Sequence, residues 1–125
     1  MVTVDNGTTA QCQNSSEFGV TIAMADQTGP FDWHLSRKLV QLARDHDIPH
    51  QKDVFRYYRS DSASALEAGA DIRTALVTFG IDASHGYERI HETALTDLAR
   101  LLIAYVESDV EITRDTKALS GVKGF

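Results

Sequence analysis

Apolar and polar residues alternate from Met1 to Asp5, where β-branched Val2, Thr3 and Val4 precede a break at Asn6-Gly7. This pattern predicts a short strand ending at Asp5. Thr8 to Phe18 is polar and reads as a loop. Val20 to Met24 reads as a second strand, and Gln27-Thr28-Gly29-Pro30 punctuates the chain. A helix is expected from Asp32 to Asp47: Leu35, Leu39, Leu42 and Ala43 share one face, and Asp32 can cap the first turn. Ile48-Pro49 ends it, because a residue before proline avoids helical angles. Val54 to Tyr58 reads as a third strand running into Arg59-Ser60-Asp61, and Ser62 to Ala68 as a short helix stopped by Gly69. Ile72 to Phe79 is apolar enough for a central strand. A loop follows from Gly80 to His91. The clearest helix spans Glu92 to Val106, with Leu95, Leu98, Leu101 or Leu102, and Tyr105 on a repeating face.

The order β-β-α-β-α-β-α argues for an α/β layered sheet. Ile72–Phe79 should lie inside it, with the helices after Asp32 and Glu92 packed on it. One domain is expected over residues 1–107, with residues 108–125 as a loosely held tail. Ligand crevices in such sheets lie at the carboxyl ends of strands. Three polar segments are expected there: Asp5-Asn6-Gly7, Arg59-Ser60-Asp61 and the loop ending in His91.

Composition removes several classes. The chain has 125 residues and a formal net charge of −6, which disfavours a phosphate-backbone binder. Its one cysteine, Cys12, closes no internal disulfide. The longest apolar run, Leu101 to Val106, is far short of the roughly 20 residues that span a bilayer. No basic leader precedes an apolar stretch at Met1. The expectation is a cytoplasmic protein with neither nucleic acid nor membrane as partner.

Each candidate chemical group carries a plainer alternative. His91 sits at the start of a strong helix, where the dipole favours the neutral imidazole that a metal requires; it is equally a surface histidine near a cap. Asp5 suits a metal ligand at a strand end or an Asx turn before Asn6-Gly7. Asp61 can orient a ligand or cap the following helix. His85 lies six residues before His91, which excludes helical zinc spacing between them. His34, His46 and His50 are read as surface residues. Nothing in Gln11-Cys12-Gln13 marks Cys12 as an activated nucleophile. No Gly-rich phosphate loop, Gly-x-Ser-x-Gly elbow or His-Glu-x-x-His occurs.

Taken as an ordered set, Arg59-Ser60-Asp61-Ser62-Ala63-Ser64-Ala65, Ala68-Gly69-Ala70-Asp71-Ile72 and the loop to Arg89-Ile90-His91 resemble the C-terminal part of the co-catalytic metallo-aminopeptidases. That family includes glutamyl aminopeptidase, the tetrahedral aminopeptidases and proteins once labelled cellulase M. The sequence is most similar to a bacterial branch linked to gene clusters for peptide-like osmolytes. The resemblance implies a fragment of a three-layer αβα sandwich, the catalytic domain of a zinc-peptidase-like enzyme. It also implies two divalent metals, zinc or cobalt, short peptide substrates cleaved from the N-terminus, and homo-oligomers. By the same resemblance Asp5 and His91 are metal ligands, and Asp61 supports the ligand shell.

Tyr87-Glu88-Arg89-Ile90-His91 followed by Thr93-Ala94-Leu95 departs from the usual surroundings of the late histidine, which keeps His85 in view as the ligand. The early histidine, the bridging aspartate and the general-base glutamate of the family are expected upstream of Asp5. The expectation is therefore a fragment with no catalytic residue of its own, metals absent or weakly held, and no activity alone. A catalytic zinc needs about three protein ligands, and paired ions sit roughly 3.5–4 Å apart. The rival reading is a non-catalytic α/β interaction module.

Overall fold

The computed structural model describes residues 1–110. The element order is β1 (Val2–Thr8), β2 (Val20–Asp26), β3 (Gly29–Pro30), α1 (Trp33–Asp45), β4 (His50–Val54), α2 (Asp61–Glu67), β5 (Ala75–Ile81) and α3 (Glu92–Glu107). Local rules account for the helix ends. The Asp32 carboxylate accepts the Leu35 N–H at 2.8 Å and caps α1. Gly69 follows α2 with φ +88°, a left-handed angle that glycine adopts without a Cβ penalty.

The sheet is mixed. β1 and β5 run parallel, with Val2 opposite Ala75 and Asp5 opposite Thr78. β5 pairs antiparallel with β2, which pairs parallel with β4 and forms a short hairpin with β3. The apolar Ile72–Phe79 segment thus yields the central strand β5, flanked on both sides, although pairing starts at Ala75 and ends at Ile81.

Alternation along the strands separates two faces. On one, Val20, Ile22, Ala75 and Val77 pack under Leu35 and Leu39 of α1 and Leu98 and Leu101 of α3. On the other, Ala23 and Leu76 pack with Phe55, Phe31 and Tyr58. Here α2 approaches β1 through a 2.8 Å hydrogen bond between the Ser62 and Thr3 hydroxyls. Asp5 shares the face of Thr3, the second one.

Three sequence expectations need correction. The strand expected to end at Asp5 continues through Asn6-Gly7 to Thr8, because both residues pair in register with β5, so Asp5 lies within β1 and not at its end. The strand expected at Val54–Tyr58 lies instead at His50–Val54, immediately after Pro49. Its Gln51, Lys52 and Asp53 are polar because β4 pairs with β2 alone, so apolar pattern gave no signal. Residues 55–60 then cross the second face as irregular chain, with the Phe55 ring buried in it. Consequently Arg59-Ser60-Asp61 arrives from across the sheet, not from the end of a strand. The tail expected over 108–125 falls outside the described residues from 111 onward.

Candidate functional site

Asp5 projects from β1 on the face away from α1 and α3. Its Oδ1 accepts the Asn6 N–H at 2.7 Å, a contact between strand neighbours; the expected Asx turn is not formed, because β1 runs on through Asn6-Gly7. Opposite it, Thr78 is fully buried and its hydroxyl has no hydrogen-bond partner among the described residues. Gly7 is required beside this row: a Cβ there would meet Thr78 Oγ1 at 2.5 Å and Phe55 Cζ at 3.1 Å.

Tyr58 sits edge-on to Phe55, with ring centroids 5.9 Å apart. Burial first, then the nearness of Asp5 and the negative charges of Asp5, Asp61 and Asp26, push its pKa well above the usual phenol range. Asp61 is the first residue of α2. The cap position belongs to Ser60, whose hydroxyl turns away to Asp26.

Asp26 organises this corner, and sequence reading missed it. Its Oδ2 accepts the Ser60 N–H at 2.9 Å and the Ser60 hydroxyl at 2.8 Å. Its Oδ1 accepts the Thr28 N–H at 2.8 Å and the Thr28 hydroxyl at 2.6 Å. Burial pushes its pKa upward, but these four donors outweigh burial and hold it below the ordinary carboxylate value. The Gln27 N–H also bonds the Tyr58 carbonyl at 2.9 Å. The chain around Tyr58 and Asp61 is therefore fixed to the end of β2. Asp26-Gln27-Thr28 carried the local signal of an Asx turn, but its long-range partner Ser60 lies 34 residues away.

His91 occupies a different place. It is exposed at the N-cap of α3, where its Nδ1 contacts the Thr93 N–H at 3.3 Å and Oγ1 at 2.8 Å. Its ring packs on Phe18, centroids 4.6 Å apart. The loop before it is tied down by Arg89, which pairs with Asp82 and Glu17 at 2.8 Å each. Asp5 and Asp61 both add negative charge near Tyr58, whereas the contacts of His91 are to Thr93 and Phe18. His85 and Cys12 are both exposed, both at positive φ (62° and 72°), and both line a cleft of about 850 Å³. That cleft also reaches Thr8, Lys52, Arg56 and Tyr58.

Carboxylate and imidazole are suitable donors for a divalent metal. Among the described residues, however, no group of three or more His, Cys, Asp or Glu is arranged to hold one. The described residues do not by themselves make up a metal site.

A parallel β1–β5 pair inside a mixed sheet, with helices packed on it, defines a layered α/β fold. The structure of PhTET1-12s, a dodecamer, superposes with a TM-score of 0.74 at 19% identity, covering 84% of this chain and 32% of that one. A TET aminopeptidase from the marine sediment archaeon Thaumarchaeota archaeon SCGC AB-539-E09 gives 0.74 at 13% identity, covering 96% and 34%. The family model described as M42 glutamyl aminopeptidase matches residues 1–101, and the chain belongs to that family. YhfE of Bacillus subtilis (strain 168), assigned by name to the aminopeptidases, is 42% identical over 105 residues. The chain spans 84% of its own length in that match but only 30% of YhfE.

Proposed function

We propose that this chain is the C-terminal part of a metal-dependent aminopeptidase that removes residues from the free N-terminus of short peptides. The observation that carries the reading is the family match over residues 1–101, which contains Asp5, Asp61 and His91. In the intact enzyme Asp5 and His91 each supply a ligand to one of two zinc or cobalt ions. The remaining ligands and the general base come from polypeptide that this chain does not include. The chemistry such ions supply when bound is polarisation of the scissile carbonyl and activation of water. Within this chain, the Asn6 N–H holds the Asp5 carboxylate in orientation, and Asp5 and Asp61 both add negative charge near Tyr58. The assembled enzyme is a homo-oligomer in the cytoplasm.

The test assays this chain with zinc or cobalt against aminoacyl p-nitroanilides, alone and mixed with a polypeptide corresponding to the rest of a YhfE-type relative. No turnover is expected alone, and turnover is expected on mixing. Asp5→Ala or His91→Ala should each reduce the restored rate by at least about a hundredfold. Robust hydrolysis by the chain alone would overturn the fragment reading. No hydrolysis in either arm, with the two polypeptides shown to associate, would favour a non-catalytic module.

A further inference from the structure

Resting on the aminopeptidase reading, we infer that the open edge of β1 receives a strand from the part of the enzyme outside this chain, paired along Val2–Val4 beside Asp5. The chain spans only 30% of YhfE, so most of such an enzyme lies elsewhere. The sheet ends at β1 on one side and at β3 and β4 on the other. These ends differ in kind. β3 is two residues long and contains Pro30, while β4 carries Lys52 and pairs with a register shift between Ala23 and Ala25. Short length, proline, lysine and bulges keep an edge from pairing further. β1 has none of these: Val2–Thr8 stays in unbroken register with β5 over seven residues, without proline, lysine or arginine.

The ladder shows which groups face outward. The Ala75 N–H bonds the Met1 carbonyl, and the Thr9 N–H bonds the Ile81 carbonyl. Alternate residues of a strand bond one neighbour, so Met1, Thr3, Asp5, Gly7 and Thr9 face β5. Val2, Val4, Asn6 and Thr8 turn their main-chain groups to the open edge. The Asn6 N–H is already served by Asp5 Oδ1 at 2.7 Å, which limits new pairing to the stretch before it. Val2 and Val4 have no outward partner among the described residues. The Val4 side chain is also 44% exposed. An added strand satisfies these backbone groups and covers Val4 together. It runs about 5 Å from β1. The polypeptide that brings the remaining metal ligands then arrives next to Asp5. At β3 or β4 it would lie across β5 and β2 from Asp5.

The test follows amide hydrogen exchange in the isotopically labelled chain by NMR, alone and mixed with a polypeptide corresponding to the rest of a YhfE-type relative. Val2 and Val4 are expected to exchange freely alone and at least about tenfold more slowly in the mixture. Val4→Pro removes only an outward N–H, and proline is tolerated on an edge, so the variant should keep its fold and bind the second polypeptide at least about fivefold more weakly. Lys52→Pro, the same change on the opposite edge, should bind as the unsubstituted chain does. The exchange measurement needs no substitution, so it stands even if Val4→Pro fails to fold. Association without protection of Val2 and Val4, equal weakening by both variants, or no association overturns the proposal. Protection of Val2 and Val4 in the chain alone that grows with concentration also overturns it, because a second copy would then fill the edge. Turnover by a single polypeptide joining the upstream region to Met1, with Val2 and Val4 still exchanging freely, would keep the aminopeptidase reading and overturn this one.

Discussion

At the scale of single residues, the informative group is one whose partners lie far away in sequence. Asp26 accepts four hydrogen bonds with only 6% of its surface exposed. Removing its carboxylate strands two N–H donors and two hydroxyls, so Asp26→Ala should cost about 2–4 kcal/mol in urea unfolding. Asp26→Asn should be nearly as costly, since an amide NH2 would face donors instead of accepting from them. The pH dependence follows from the depressed pKa. A carboxylate held below its unfolded value adds stability that is present above the unfolded pKa and is lost as pH falls through the folded one. The stability gap between the native protein and Asp26→Asn should therefore be full at pH 7 and narrow below about pH 4, measured as urea midpoints across that range.

At the scale of elements, two junctions are open to direct test. The cap of α1 serves twice, because Asp32 Oδ1 takes the Leu35 N–H while Oδ2 pairs with Arg73 at 2.7 Å. Arg73 immediately precedes the buried Thr74-Ala75 entry into β5, so the cap also fixes the approach to the central strand. Asp32→Ala should lose about 1–2 kcal/mol, read as a lowered unfolding midpoint. The second junction lies between β1 and the 55–60 segment, where Gly7 admits Thr78 and the Phe55 ring. Gly7→Ala would force Thr78 Oγ1 or Phe55 to shift and should destabilise by about 1–3 kcal/mol. It should also perturb the near-ultraviolet signal of Tyr58, which packs on Phe55. Native stability and an unchanged spectrum in the Gly7→Ala variant would show that this contact is loose.

At the scale of the molecule, the outer side of α3 stays apolar. Leu95, Ile103 and Val106 are 41%, 57% and 80% exposed, and Val4 of β1 is 44% exposed. Exposed apolar surface of this kind favours association. Sedimentation of this chain should show dimers or larger species that grow with concentration, and Leu95→Lys/Ile103→Lys should shift the profile toward monomer. A profile that is monomeric across a wide concentration range would remove α3 as a contact surface. Among the described residues no helix is long and apolar enough to cross a membrane.

Where a signal is local, the sequence alone carried it. The Asp32 cap, the stop at Ile48-Pro49, the glycine after α2 and the heptad-like face of α3 each depend on residues within a turn of one another. The apolar Ile72–Phe79 run marked a central strand because only a strand covered on both faces and both edges tolerates it. The ordered motifs also led to the family, which the match over residues 1–101 bears out. Tertiary structure decided what depends on distant partners. The mixed direction of the sheet follows from how β2 meets β5, and polar β4 became a strand only because β2 offered it an edge. The docking of the Tyr58–Asp61 segment on the end of β2 depends on a buried carboxylate bonding a residue 34 positions away. No periodicity encodes that pairing. It exists because folding leaves Asp26 no water, and Ser60 and Thr28 supply the hydrogen bonds that water would have made.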